Sequence, residues 1–122
     1  MSTELSEDTQ APEFAASNTS IDLFCDALWL EHGLARNTLD AYRRDLRLFS
    51  EWLASARDSS LDTASEADLT AYSAVRSADK STSANRRLSV FRRYYAWAVR
   101  EHRASADPTL RIRSAKQPPR RP

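Results

Sequence analysis

Residues 81–102 read STSANRRLSVFRRYYAWAVREH, and their spacing decides the fold. Leu88, Phe91, Tyr95, Ala98 and Val99 share one side at the helical period, not the strand period. The pattern predicts a helix from about Ser83 to His102. Thr82, Arg86, Ser89 and Arg93 fall roughly opposite, at about 100° per residue. Val90 and Trp97 also fall near that far side. The first half of the helix is therefore expected to meet solvent or ligand, and the second half to be enclosed by other helices. Small hydrogen-bonding side chains from Ser81 to Asn85 open it, and Arg86, Arg87, Arg92 and Arg93 follow. Such a helix suits nucleic acid. Its N–H groups and hydroxyls can meet phosphates or base edges, and its Arg residues neutralise charge.

The charge of the whole chain points the same way. Twelve of the eighteen Lys and Arg lie between Lys80 and Arg121, against two acids, Glu101 and Asp107. Residues 1–35 hold seven acids and no Lys or Arg, so the overall charge of +1 hides a polar chain.

At 122 residues the chain makes one domain. A single Gly and 41% hydrophobic residues argue against a loop-rich or β-rich fold. The one cysteine, Cys25, excludes an internal disulfide and reads as a small apolar filler. No Cys/His cluster has metal spacing, no Gly-rich loop would cradle phosphates, and no nucleophile–His–acid arrangement is present. No catalytic residue, metal, cofactor or small-molecule substrate is expected. The apolar runs are too short to span a membrane, and the acidic start is no signal peptide, so a cytoplasmic location is expected.

Outward from the basic helix, residues 1–19 read as a disordered acidic tail, with Phe14 undocked. A first helix, 21–32, is expected with Ser20 as its cap. Ile21, Phe24, Cys25, Leu28 and Trp29 form its apolar face, and Gly33 is its left-handed end. The second helix runs from Asn37–Thr38 to about Ala54. Its stripe is Leu39, Tyr42, Leu46, Phe49 and Leu53, and Ala41, Leu48 and Trp52 form a second strip. Residues 55–64 read as a polar loop. Ser65 caps a third helix, about 66–77, with Leu69, Tyr72 and Val75 in the core. Asp107-Pro108 opens one further turn. Residues 112–122 read as a basic, Pro-rich linker toward a further domain, which leaves 20–111 as the helical domain. The aromatics Tyr42, Tyr94, Tyr95, Trp29, Trp52 and Trp97 are assigned to the core, with Tyr94 the most exposed of them. His32 and His102 each end a helix, facing its negative dipole end.

Two blocks carry a family resemblance. Asn37-Thr38-Leu39-Asp40-Ala41-Tyr42-Arg43-Arg44-Asp45-Leu46, with Phe49 and Trp52-Leu53, resembles the start of tyrosine site-specific recombinases. So does Ser83-Ala84-Asn85-Arg86-Arg87-Leu88-Ser89 with Arg92, Tyr94-Tyr95 and Asp107-Pro108. The match covers residues 20–122 and looks most like the Xer recombinases, with phage integrases as close relatives. It implies an all-α, four-helix, SAM-like core-binding domain that clamps one side of double-stranded DNA at a recombination half-site. It also implies that the first helix packs against a neighbouring recombinase subunit. The resemblance places the catalytic residues in a C-terminal domain beyond the linker, so none of Tyr42, Tyr72, Tyr94 or Tyr95 is read as the nucleophile.

The positions that match the family's DNA surface are Thr38, Ala41 and Arg44 on the second helix and Thr82, Ser83 and Arg86 on the fourth. The helical wheel extends this surface to Asn37, Arg43, Lys80, Arg87 and Ser89. Blander roles compete. Asn37 and Thr38 are good helix caps in any protein. Arg43 and Arg44 can pair with Asp40 or Asp45, contributing only a few tenths of a kcal/mol, roughly, per pair. The rival for the whole chain is a helical protein–protein interaction module that binds no DNA.

Overall fold

The computed structural model describes residues 12–114. Its four α-helices are α1 (Pro12–His32), α2 (Arg36–Trp52), α3 (Glu66–Val75) and α4 (Ser81–Arg100), with no strand among the described residues. The end of α2 widens into a π turn, Leu53–Arg57, and a 3-10 turn, Leu61–Thr63, precedes α3. The fold class is the one the periodicity predicts.

The core forms where the predicted stripes meet. Phe49 of α2 sits with its ring 4.9 Å from Phe91 of α4 and 4.9 Å from Tyr72 of α3. Phe24 of α1 meets Tyr94 edge-on at 5.2 Å. Each such pair adds about 0.5–1.5 kcal/mol beyond the area it buries. Gly33, at φ 61°, closes α1 as predicted, its N–H donating to the Trp29 carbonyl at 3.1 Å. Ser65 caps α3 reciprocally with Asp68: its hydroxyl accepts from the Asp68 N–H at 3.1 Å, and the Asp68 carboxylate accepts from the Ser65 N–H at 2.9 Å. Asp107 opens its turn by accepting from the Thr109 N–H and hydroxyl, at 2.8 and 2.6 Å.

The start of α1 differs from expectation. The helix begins at Pro12, so residues 12–19 are not a disordered tail and Ser20 is not a cap; residues 1–11 of that tail lie outside the described residues. Phe14, Ser17 and Ser20 are buried, one turn apart, on the side that faces the core. The two serines find partners far along the chain. Ser17 Oγ accepts from the Leu61 N–H at 2.9 Å. Ser20 Oγ donates to Asp62 at 2.7 Å and accepts from Arg103 at 2.9 Å. Tyr94 donates to the other Asp62 oxygen at 2.5 Å, and Tyr95 to the Leu61 carbonyl at 2.6 Å.

Residues 55–64 are thus no plain polar loop: Leu61 is a fully buried plug held on both backbone groups. Tyr94, expected to be the most exposed aromatic, is fully buried. The left-handed residue His102, φ 60°, turns the chain after α4 so that Arg103 reaches back to α1. Ser17→Ala should cost about 1–3 kcal/mol in a urea titration, because it leaves the buried Leu61 N–H without an acceptor. A disordered residue 17 would give no change.

Two more core assignments fail. Trp29 is 57% exposed, because it lies five residues past Phe24 and so about 140° round the helix. Val75, the last residue of α3, is also exposed.

Candidate nucleic-acid interface

Helices α2 and α4 start alike. Their N-caps are Ala35 and Lys80, at φ −66°, ψ 152° and φ −66°, ψ 153°, and neither makes a side-chain capping bond. Neither helix has an acid in its first turn, whereas α3 has Glu66 and Asp68 there and α1 has Glu13. Both helices start earlier than predicted, at Arg36 and Ser81. Asn37 and Thr38 are therefore not caps. They hold the second and third positions of α2, as Thr82 and Ser83 do in α4. A helix start without acids or a side-chain cap keeps its N–H groups and positive dipole end available to an anion.

The two helices cross with two polar contacts. Arg86 Nη2 donates to Asp45 Oδ1 at 3.2 Å, and Arg93 Nη1 to the Tyr42 hydroxyl at 3.4 Å. Arg86 is 53% exposed on its side chain. Thr82, one turn earlier on its face, is exposed, as are Ser89 and Arg93. On α2, exposed Asn37 and Arg44 flank half-buried Thr38 and Ala41. Lys80 is exposed and Ser83 half-buried. Ser89 Oγ donates back to the Asn85 carbonyl at 3.1 Å.

Two predicted site residues turn elsewhere. Arg87 is 7% exposed; its guanidinium donates to Asp79 at 2.9 Å and lies over the Tyr72 ring at 5.8 Å. It joins α4 to the turn after α3 and is not on the outer face. The guanidiniums of Arg87 and Arg76 hold the Asp79 carboxyl below its usual range. Arg87 also walls a cavity of about 330 Å³ between α3 and α4, floored by Leu69, Tyr72 and Phe91. Arg43 points to α1, where it pairs with Asp22 rather than with Asp40 or Asp45. Sequence reasoning overlooked Asp45 as a link between helices, and Arg93 with Tyr42. The seven-residue step from Thr38 to Asp45 was the available signal, since it puts both on one stripe.

Three of the four tyrosines, Tyr72, Tyr94 and Tyr95, are poorly suited to nucleophilic chemistry. Burial, with Asp62 taking its hydrogen bond, pushes the Tyr94 phenol far above its ordinary value, and burial does the same to Tyr95. Burial also raises Tyr72. An activated phenol needs the opposite shift.

The family model described as "Phage integrase, N-terminal SAM-like domain" matches residues 21–102, most of the described helices. The chain belongs to this family. Its phage integrase SAM-like domain is similar to the tyrosine recombinase XerD of Ralstonia nicotianae, 56% identical over 108 residues, covering 88% of this chain and 35% of that protein. The XerD of Yersinia pestis is 43% identical over 107 residues, 86% of this chain and 36% of the relative. That of Proteus mirabilis is 40% identical over 104 residues, 84% and 33% respectively. The chain spans about a third of the length of the curated relatives it matches. It does not extend over the remainder, where the resemblance puts the catalytic residues. No solved structure matches the chain. The first nine residues of α1 precede the matched region, so the Ser17 and Ser20 contacts add to what the family pattern describes.

Proposed function

We propose that this domain binds duplex DNA at a recombination half-site, as the N-terminal clamp of a cytoplasmic tyrosine recombinase. The observation that carries the reading is the outer face of the α2–α4 crossing. On α4 the exposed Arg86 and Arg93 share a side with Thr82 and Ser89, on α2 Asn37 and Arg44 are exposed, and the first turns of both helices carry no acid. Lys80, Thr38, Ala41 and Ser83 border that face. Arg87 and Arg43 contribute by holding α4 and α2 in place. Chemistry on the DNA strand belongs to a catalytic domain outside this chain. Site-specific recombination or DNA integration is the activity of the whole enzyme.

A neighbouring recombinase subunit is the second partner. Leu23 and Leu30 lie seven residues apart on one exposed line of α1, and Trp29 is exposed about 100° further round the helix. An apolar line of this kind fits protein and not DNA. Among the described residues, no helix is long and apolar enough to cross a membrane.

The test is binding to short duplexes by fluorescence anisotropy across a salt series. Half a clamp binds weakly, and log K should fall with log salt with a slope of roughly −4 to −5. A slope near zero would leave the basic face to a protein partner.

A further inference from the structure

The α2–α4 crossing contains a carboxylate where a DNA surface would be expected to carry none. Asp45 is almost wholly buried, its side chain only 6% exposed. One oxygen, Oδ1, accepts from Arg86 at 3.2 Å. The other, Oδ2, is buried with no donor among the described residues. A guanidinium is a planar fork with five N–H donors. Arg86 is thus gripped at one corner while its outward edge remains exposed.

This arrangement restricts what Arg86 can do. Were Arg86 to swing toward an arbitrary phosphate, Asp45 would lose its one donor among the described residues and be left as a buried charge with neither oxygen paired to them. That departure is strongly disfavoured. An acceptor placed along the outward edge can be met without breaking the grip. The long side chain also loses rotamer freedom before DNA arrives, so less is lost on binding.

Resting on the reading of this face as a DNA surface, we propose that Asp45 is a positioning residue for DNA recognition. It tethers Arg86 so that the guanidinium meets the duplex in one orientation and does not follow phosphates freely. Asp45 therefore weakens binding to arbitrary DNA and strengthens discrimination between sequences.

The experiment uses this chain as wild type, Asp45→Asn, Arg86→Gln and the double variant. Asparagine keeps the shape and an acceptor but removes the charge; glutamine leaves a donor for Asp45. The probes are a duplex enriched by the wild type from a randomised pool and a scrambled duplex of equal length, read by anisotropy at two salt concentrations. Asp45→Asn should bind the scrambled duplex about 3- to 10-fold more tightly at low salt, with a salt slope steeper by about 0.9. Its preference for the enriched duplex should fall roughly tenfold. Added to Arg86→Gln, it should cause no further loss of preference, as expected of two residues acting as one unit.

Wild-type preference and slope in Asp45→Asn, or an equal loss in the Arg86→Gln background, would overturn the tether. If Arg86→Gln also bound both duplexes like the wild type, the DNA-surface reading would itself fail. A wild type that enriches no sequence would leave nothing for Asp45 to position, and would overturn the proposal as well. Should Asp45→Asn fail to fold by circular dichroism, Arg86→Lys replaces it. A lysine keeps the charge but lacks the planar fork that fixes one orientation, so it should keep the salt slope and lose the preference; an unchanged preference would be fatal.

Discussion

Replacing Arg44 by Glu and Arg86 by Gln together should lower affinity for duplex DNA by roughly two orders of magnitude at about 50 mM salt. The thermal midpoint should stay within a few degrees of the wild type, as a rough expectation for surface changes. Arg44 is exposed, so reversing its charge disturbs no core contact. Glutamine at 86 still offers an N–H to Asp45, which glutamate would repel and alanine would abandon. The pair of changes therefore removes attraction without leaving a buried carboxylate unpaired. A domain that used α1 alone to bind another protein would show no change in any DNA assay, and its partner binding would persist. Arg87 is unsuitable for the same purpose despite standing beside Arg86 in the sequence. Its loss would leave Asp79 to Arg76 alone and take a buried guanidinium from the Tyr72 ring, so weaker DNA binding in an Arg87 variant would report a loosened fold.

The largest loss of stability should come from Phe49→Ala, at about 3–5 kcal/mol in a urea titration. Phe49 is fully buried, and its ring meets Tyr72 of α3, Phe91 of α4 and Trp52 of its own helix. Truncation empties the point where three helices converge, and the neighbouring aromatics are too large and too well held to collapse into it. Domains of this size are stable by only about 5–15 kcal/mol, so the variant should be partly unfolded at physiological temperature. Trp29→Ala removes a larger side chain from α1, yet should change stability by less than about 0.5 kcal/mol, because that ring is mostly in solvent. Equal losses in the two variants would mean that the core is wrongly centred.

Much of this was legible in the sequence. Leu39, Leu46, Phe49 and Leu53 recur at helical steps, and all four are buried. Gly33 marks a turn that only a left-handed residue makes easily, and Ser65 with Asp68 spells a reciprocal cap. Local periodicity and capping chemistry determine such features, and both operate within a few residues.

What stayed hidden depends on partners far along the chain. Ser17 looks like a tail residue and Ser20 like a helix cap until Leu61, Asp62 and Arg103 are brought beside them. Arg86 and Arg87 are neighbours of the same chemistry, and one is half exposed while the other is buried. A helical wheel turns only about 100° between them, and no local signal says that Asp79 waits on one side and Asp45 on the other. Helix starts were misplaced for a related reason. Asn, Thr and Ser at 37, 38, 82 and 83 have strong capping propensity, yet Ala35 and Lys80 occupy the caps. Under the proposed function, those hydroxyl and amide side chains serve the ligand.

The fastening at Ser20 also has a consequence in time. Ser20 holds Arg103, eighty-three residues later, and both converge on Asp62. During synthesis the ribosome delivers α1 first, and its buried serines then have neither Leu61 nor Arg103 to meet. Until the end of α4 has emerged, those turns of α1 remain an adhesive segment, open to chaperones or to another nascent copy. The latch closes last, so damage to it should appear in the yield of folded protein made in cells before it appears in the equilibrium stability of what survives.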